Sequence, residues 1–225
     1  ANVVNVSAVS PPSTNLSLNT PYEGSISSGY IHTGPNPNIT LTTSNNGTSS
    51  LLSTEYMVGQ NSTPQIYNGS FTLWKNHTET FDLRFRSNST SGLESWNTLN
   101  ITIDADIPTI GFSSNNNSPV FSKIDSQNYV TSYQTPLNIV CSDGGTGVSQ
   151  INISHGNLNL STTNSSILIG PSQVTFLNST GSSVDIEIEC LDKVGNRVLQ
   201  NISVEIDNTP PVLTVLQSGP RYGNC

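Results

Sequence analysis

An all-β chain of tandem sandwiches is what this 225-residue sequence predicts, and three observations carry the prediction. Short alternating runs recur between clusters of Gly, Pro, Asn and Asp, among them Asn100-Ile101-Thr102-Ile103, Val184-Asp185-Ile186-Glu187-Ile188-Glu189-Cys190 and Ile202-Ser203-Val204-Glu205-Ile206. No stretch of ten or more residues carries a helical stripe, and 13 prolines spread along the chain work against helices. The chain also resembles itself. Gly29-Tyr30-Ile31 matches Asn128-Tyr129-Val130 at an offset of 99, and Pro37-Asn38-Ile39 matches Pro136-Leu137-Asn138-Ile139 at an offset near 100. Ile103-Asp104 with Pro108 matches Ile206-Asp207 with Pro211 at an offset of 103.

A drift from 99 to 103 is what tandem domains with small loop insertions produce. The first unit spans 1–105 and the second 106–208. Residues 209–225 open as the second unit does, with Pro210-Pro211 and then Val212-Leu213-Thr214-Val215-Leu216. That run is either the first strand of a further repeat or a strand donated to a neighbour. Units of about 100 residues with roughly seven short strands fit an immunoglobulin-like β-sandwich. Cys141 and Cys190 stand 49 residues apart on two alternating runs, which suits a bridge between the second and sixth strands. Two buried free thiols are the alternative. The equivalent residues of the first unit are read as Leu41 and Ser87, which leaves that copy unbridged. A bridge implies an oxidising compartment, and Cys225 is left over.

Composition narrows the function. Hydrophobic residues are 33% and charged residues 10%, so the polarity lies in 28 Asn and 60 Ser plus Thr. The net charge is −8 and the only lysines are Lys75, Lys123 and Lys193, so no basic patch exists to neutralise phosphates. Nucleic-acid binding is excluded on that ground. Uncharged apolar runs last only a few residues, which excludes membrane insertion of this segment. The start at Ala1 reads as a processed or trimmed chain.

Several motifs fall in a recognisable order. Pro-Thr-Ile or Thr-Pro-Pro follows an Ile-Asp; then come Ser142-Asp143-Gly144-Gly145-Thr146-Gly147-Val148, Leu191-Asp192-Lys193-Val194-Gly195-Asn196, and Ile206-Asp207-Asn208-Thr209-Pro210-Pro211. The first unit has a sister pattern: Glu55-Tyr56-Met57-Val58-Gly59, Tyr67-Asn68-Gly69-Ser70-Phe71 and Asp82-Leu83-Arg84-Phe85-Arg86-Ser87. Over nearly its whole length the chain resembles the tandem immunoglobulin-like repeats of prokaryotic cell-surface proteins and adhesins. The resemblance implies an extracellular stalk, filament, surface layer or adhesin. The first unit departs from the pattern, with Asn45-Asn46-Gly47-Thr48 where the second has Asp143-Gly144-Gly145-Thr146.

The Asn-x-Ser/Thr acceptor for N-linked glycans occurs at Asn5, Asn15, Asn38, Asn46, Asn61, Asn68, Asn76, Asn88, Asn100, Asn116, Asn152, Asn159, Asn164, Asn178 and Asn201. Chance in a chain so rich in these residues gives about half of these fifteen. In Asn100-Ile101-Thr102-Ile103 and Asn201-Ile202-Ser203-Val204 the acceptor and its hydroxyl share one strand face and the aliphatics the other. Glycans on that face would keep a sparsely charged surface soluble and shield strand edges. A bare polar surface is the alternative. Dense N-glycosylation on a prokaryote-like repeat points to an archaeal surface.

The few acids cluster. Asp104 and Asp106 lie in the link between units, Asp143 follows the cysteine strand of unit two, and Asp192 follows its partner. In an immunoglobulin-like sandwich those loops and the incoming link meet at one end, where a calcium ion would relieve the repulsion. Asn196 and backbone carbonyls could complete the shell. Turn chemistry alone is the alternative, since Asp-Gly-Gly and Asp-x-x-Gly-Asn form turns unaided.

No catalytic site is predicted. His32, His77 and His155 are scattered, and there is no His-Glu-x-x-His, no Cys/His set, no phosphate loop and no Gly-x-Ser-x-Gly elbow. Asp185, Glu187 and Glu189 alternate on one strand face, and Trp74 and Trp96 read as core residues before they read as a sugar platform. Tyr56, Tyr67 and Phe71 fit core positions of unit one. The expectation is an N-glycosylated structural protein that polymerises with copies of itself into a surface filament or surface-layer lattice. The alternative is the stalk or ligand-binding segment of an adhesin, recognising a glycan or cell-surface ligand.

Overall fold

The computed structural model describes residues 10–45, 49–60, 62–75, 77–113, 122–123, 128–131, 136–169, 183–207 and 209–214. The described chain is built of strands, with one 3₁₀ turn at Ile26–Ser28. Among the described residues no helix is long and apolar enough to cross a membrane.

The strands form two sandwiches. In the first, a sheet ordered β1 (Ser13–Leu18), β4 (Asn38–Ser44), β7 (Phe71–Thr72) covers a second sheet. That second sheet is ordered β2 (Tyr22–Ser25), β3 (Tyr30–Thr33), β10 (Asn97–Ile103), β8 (Glu79–Ser89), β5 (Leu51–Val58), β6 (Gln65–Ile66), with β9 (Gly92–Leu93) paired to β8. The next sandwich repeats the plan. One sheet runs β11 (Thr109–Ser113), β14 (Leu137–Ser142), β17 (Ser166–Ile169). The other runs β12 (Ser122–Lys123), β13 (Asn128–Thr131), β19 (Arg197–Ile206), β18 (Ser183–Asp192), β15 (Val148–His155), β16 (Leu158–Thr162). Even the parallel pairing recurs, β3 with β10 and β13 with β19, in sheets otherwise antiparallel. The self-similarity of the sequence is therefore a repeat of topology, the immunoglobulin-like arrangement of two facing sheets.

Alternation builds both cores. Along β18, Val184, Ile186, Ile188 and Cys190 are buried while Asp185 and Glu187 are exposed. Ile31, Ile39, Leu83 and Ile101 centre the first core and Ile139, Ile151, Ile188 and Val204 the second, each with no exposed surface. Full burial of each such side chain stabilises by about 1.5–3 kcal/mol. Tyr56 stacks on Phe71 at 4.1 Å between centroids, and both pack with Tyr67 against the first core. Trp74 is a correction: β7 ends at Thr72, Leu73 turns inward, and the indole of Trp74 is left 82% exposed. Trp96 is half-buried under the Arg86 guanidinium, 4.1 Å from its ring centroid.

The bond between Cys141 and Cys190 ties β14 to β18 across the sandwich at a Cα–Cα distance of 6.2 Å. The first-unit equivalent of Cys141 also needs correction. Cys141 lies opposite Ile110 as Thr43 lies opposite Thr14, so Thr43 and not Leu41 takes the cysteine's place. A shift of two residues preserves every inward face, so alternation alone cannot detect it. Thr43 Oγ1 meets Ser87 Oγ at 2.8 Å, and Thr14 and Thr54 close a buried hydroxyl cluster at 2.7 and 2.8 Å from the same oxygen. Glu94 accepts from the amides of Thr14 and Ser87 at 2.9 and 3.0 Å. Hydroxyls satisfied by one another and by a carboxylate thus occupy the place of the disulfide. The double substitution Thr43→Cys/Ser87→Cys is expected to form a bridge worth about 3–4 kcal/mol. Melting of the oxidised against the reduced double variant measures it, and equal midpoints would contradict it.

Residues 209–214 follow β19 with no strand pairing, and Val212 and Leu213 are 90% and 87% exposed. Val215, Leu216 and Cys225 lie outside the described residues.

Candidate metal centre at the joint between the units

β3 and β10 both run toward the second unit and end beside it. Thr33 closes β3, and its carbonyl accepts from the Asp104 amide at 2.8 Å, which fixes the residue just past β10. From the other side come two loops of unit two: 143–147, between β14 and β15, and 193–196, between β18 and β19. An ideal Cβ on Gly34 would lie 2.8 Å from the Val194 carbonyl oxygen, and one on Gly195 would touch Pro21 at 3.8 Å. The units therefore meet backbone to backbone.

Three carboxylates converge there. One oxygen from each of Asp104, Asp143 and Asp192 lies within 4.8 Å of the other two. Asp104 and Asp192 are almost fully buried, at 1% and 2% exposure. Asp104 Oδ2 accepts the Thr146 amide at 2.6 Å and its carbonyl accepts Asn196 Nδ2 at 2.9 Å, so the linker residue is gripped by both loops of unit two. Asp192 Oδ1 takes the amides of Val194 and Asn196 at 2.9 and 2.8 Å, and Oδ2 takes Asn196 Nδ2 at 2.8 Å. Asp143 Oδ2 takes the amides of Gly145 and Gly147 at 3.0 and 2.8 Å, whereas its Oδ1 is buried with no partner.

No ion pair among the described residues involves any of the three. At 4.8 Å and an effective dielectric near 20, each pair of full charges repels by about 3 kcal/mol. The amides lower this cost without supplying a positive charge. An all-oxygen set with one orphaned buried oxygen fits a hard divalent cation, calcium above all.

Asp106 is not brought into the set. Its side chain is exposed, and its amide donates to Asp104 Oδ1 at 3.1 Å as part of the linker turn. Gly145, by contrast, does more than turn the chain. A Cβ there would fall 2.1 Å from Asp104 Oδ2, so only glycine admits the carboxylate. In the sequence that glycine reads only as a turn former. Asn45 and Ser89 stand where unit two has Asp143 and Asp192, so the far end of unit one lacks this chemistry.

The acceptor asparagines divide by burial. Asn15, Asn68, Asn100, Asn159, Asn164 and Asn201 are exposed, while Asn38, Asn88 and Asn152 are half-buried. Asn100 and Asn201 face out while Ile101 and Ile202 face in, as their strand phase predicts. Asn38 Nδ2 donates to Thr72 Oγ1 at 3.3 Å, and Asn152 Nδ2 to Glu189 Oε2 at 2.9 Å. Asn5, Asn46, Asn61, Asn76, Asn116 and Asn178 lie outside the described residues.

No protein-family model matches the chain, and no curated sequence does. The fibronectin(III)-like modules of Clostridium thermocellum CbhA are similar to it at a TM-score of 0.46 and 10% identity, over 86% of this chain and 94% of theirs. The IG1 and IG2 domains of DIP-gamma give 0.33 and 8%, over 87% and 99%. A structure of a 1.5-MDa bacterial ice-binding adhesin gives 0.33 and 12%, over 88% and 66%. Function does not transfer at values this low.

Proposed function

We propose that the chain is a segment of an N-glycosylated extracellular structural protein, in which calcium at the joint holds two sandwiches as one rod. The observation that carries this is the convergence of Asp104, Asp143 and Asp192, drawn from the linker and two loops of the next unit. When bound, the cation supplies the positive charge that the joint lacks. Asp104 and the Asn196 clamp then fix one unit against the other. Mechanical function follows from that rigidity. Glycans on the outward faces of β10 and β19 would solubilise a chain with 10% charged residues.

Assembly with copies of itself into a surface filament or lattice completes the reading. Its support is the unpaired, apolar segment at Val212 and Leu213, which water does not favour. A second reading, the stalk or ligand-binding segment of an adhesin, draws on the exposed indole of Trp74, a flat surface suited to a sugar ring.

Electron microscopy of native material with and without a chelator separates these. Ordered fibres or sheets that loosen on chelation are expected, and isolated flexible rods would move the assignment to the adhesin. Intact mass of the same material is expected well above the 24.0 kDa of the bare chain, and a mass at that value would remove the glycans from the reading.

A further inference from the structure

The two sandwiches differ at one sheet edge. In unit two, β17 pairs with β14 from Leu137 to Val140, and the Cys141 amide continues the edge by donating to the Ser165 carbonyl at 2.9 Å. In unit one, β7 is two residues long and pairs only Asn38 and Ile39 of β4. The Leu41 amide, which points to the same side, is capped by the Tyr67 hydroxyl at 3.0 Å. From there to Ser44 no strand among the described residues lies on that side of β4. The uncovered stretch opens on a crevice of about 360 Å³ lined by Leu41, Thr43, Leu52, Ile66 and Tyr67. Leu51, Leu52 and Ile66 beside it are 46%, 62% and 57% exposed, and a bulge in β5 between Leu51 and Ser53 turns Leu52 outward.

We propose that this edge receives the segment beginning at Val212 of a second copy, as an added antiparallel strand, so that copies join head to tail. The inference rests on the self-assembling reading above and names its contact.

Chain direction supports the pairing. β4 starts four residues after Gly34, at the joint, and runs away from it, so its uncovered end lies at the far end of unit one. β19 starts at the joint, just after Asn196, and its ten residues carry the chain about 33 Å away. Val212 and Leu213 therefore leave from the far end of unit two. Donor and acceptor sit at opposite ends of the described chain; a side-by-side two-fold dimer would bring the segment in parallel to β4, whereas an open head-to-tail chain brings it in antiparallel. With copies in line, the incoming segment runs against β4, the sense in which β17 runs against β14. Unit two also shows what such an edge accepts: Ser166-Ile167-Leu168-Ile169, an aliphatic strand like Val212-Leu213-Thr214-Val215-Leu216.

Complementary blocking tests it. Leu52→Arg spoils the acceptor and Leu213→Arg the donor, and both positions are too exposed for either change to unfold the chain. Sedimentation velocity over a hundredfold concentration range is expected to show polymers for the wild-type chain and monomers for each variant alone. An equimolar mixture of the variants is expected to stop at dimers, since only one intact edge and one intact donor remain. Wild-type polymers with both variants polymerising equally would overturn the contact and leave self-assembly standing. Monomeric variants that also stay monomeric when mixed would overturn the pairing of these two surfaces. A wild-type chain that is monomeric throughout, as when residues 212–216 belong to a following sandwich, would overturn both.

Discussion

Replacing Cys141 and Cys190 by Ala is expected to destabilise the second sandwich by about 4 kcal/mol, while the first keeps its stability. The bridge closes a loop of 49 residues, and most of the effect comes from the freedom that the unfolded chain regains. Replacement by Ser is expected to cost more, although serine is nearer in size. Both sulfurs sit among Ile139, Ile151 and Ile188, in residues 1% exposed or less, and among the described residues no carboxylate of that core stands as Glu94 does in unit one. An unsatisfied buried hydroxyl adds about 1–3 kcal/mol. The first unit makes the contrast explicit, because Thr43 and Ser87 are tolerated there only inside a cluster that Glu94 completes. Scanning calorimetry of the two variants checks the ordering through the transition of unit two. Equal midpoints for Ala and Ser would mean that the sheets move apart enough to admit water.

Gly145→Ala is expected to break the joint without touching either core. The added methyl group would lie 2.1 Å from Asp104 Oδ2, and Asp104 has little room to retreat at 1% exposure. Overpacking of this kind costs about 1–3 kcal/mol. Its distinctive effect is on cation dependence. The wild-type chain with calcium at a hundredfold excess over its dissociation constant gains about 2.7 kcal/mol, roughly 5–10 °C in melting temperature. Gly145→Ala and Asp143→Asn should lose most of that gain, because one displaces a ligand and the other removes one of the three negative charges. Asp106→Asn should keep it, since that side chain is exposed and only its amide takes part. A chelator response retained in Gly145→Ala would place the ion elsewhere.

Much of the architecture was legible because β-sheets write themselves into sequence with a period of two. Asn100-Ile101-Thr102-Ile103 announces both its strand and the outward face of Asn100, and the structure has both. The same period hides errors of two residues, which is why Leu41 reads as the counterpart of Cys141 when Thr43 holds that place. Local chemistry misleads differently at Trp74. Large aromatics belong inside on average, yet β7 stops one residue before Leu73 and leaves the indole in water. For the joint, topology placed three of four acids together, because loops that close the same end of a sandwich must meet. Asp104 and Asp106 share one linker, and nothing local distinguishes them. Only the grip of Thr146 and Asn196 on Asp104 does so. Long-range differences, such as a two-residue β7 against a four-residue β17, leave no periodic trace at all.

Titration of calcium into the chelated wild-type chain, followed by calorimetry and small-angle scattering on one sample, tests the central claim most directly. The expected result is one ion per chain at the joint, with the heat lost in Asp143→Asn and the scattering curve shifting to that of a single stiff rod. No heat, with identical curves before and after calcium, would contradict it and leave Asp104, Asp143 and Asp192 as turn-forming residues.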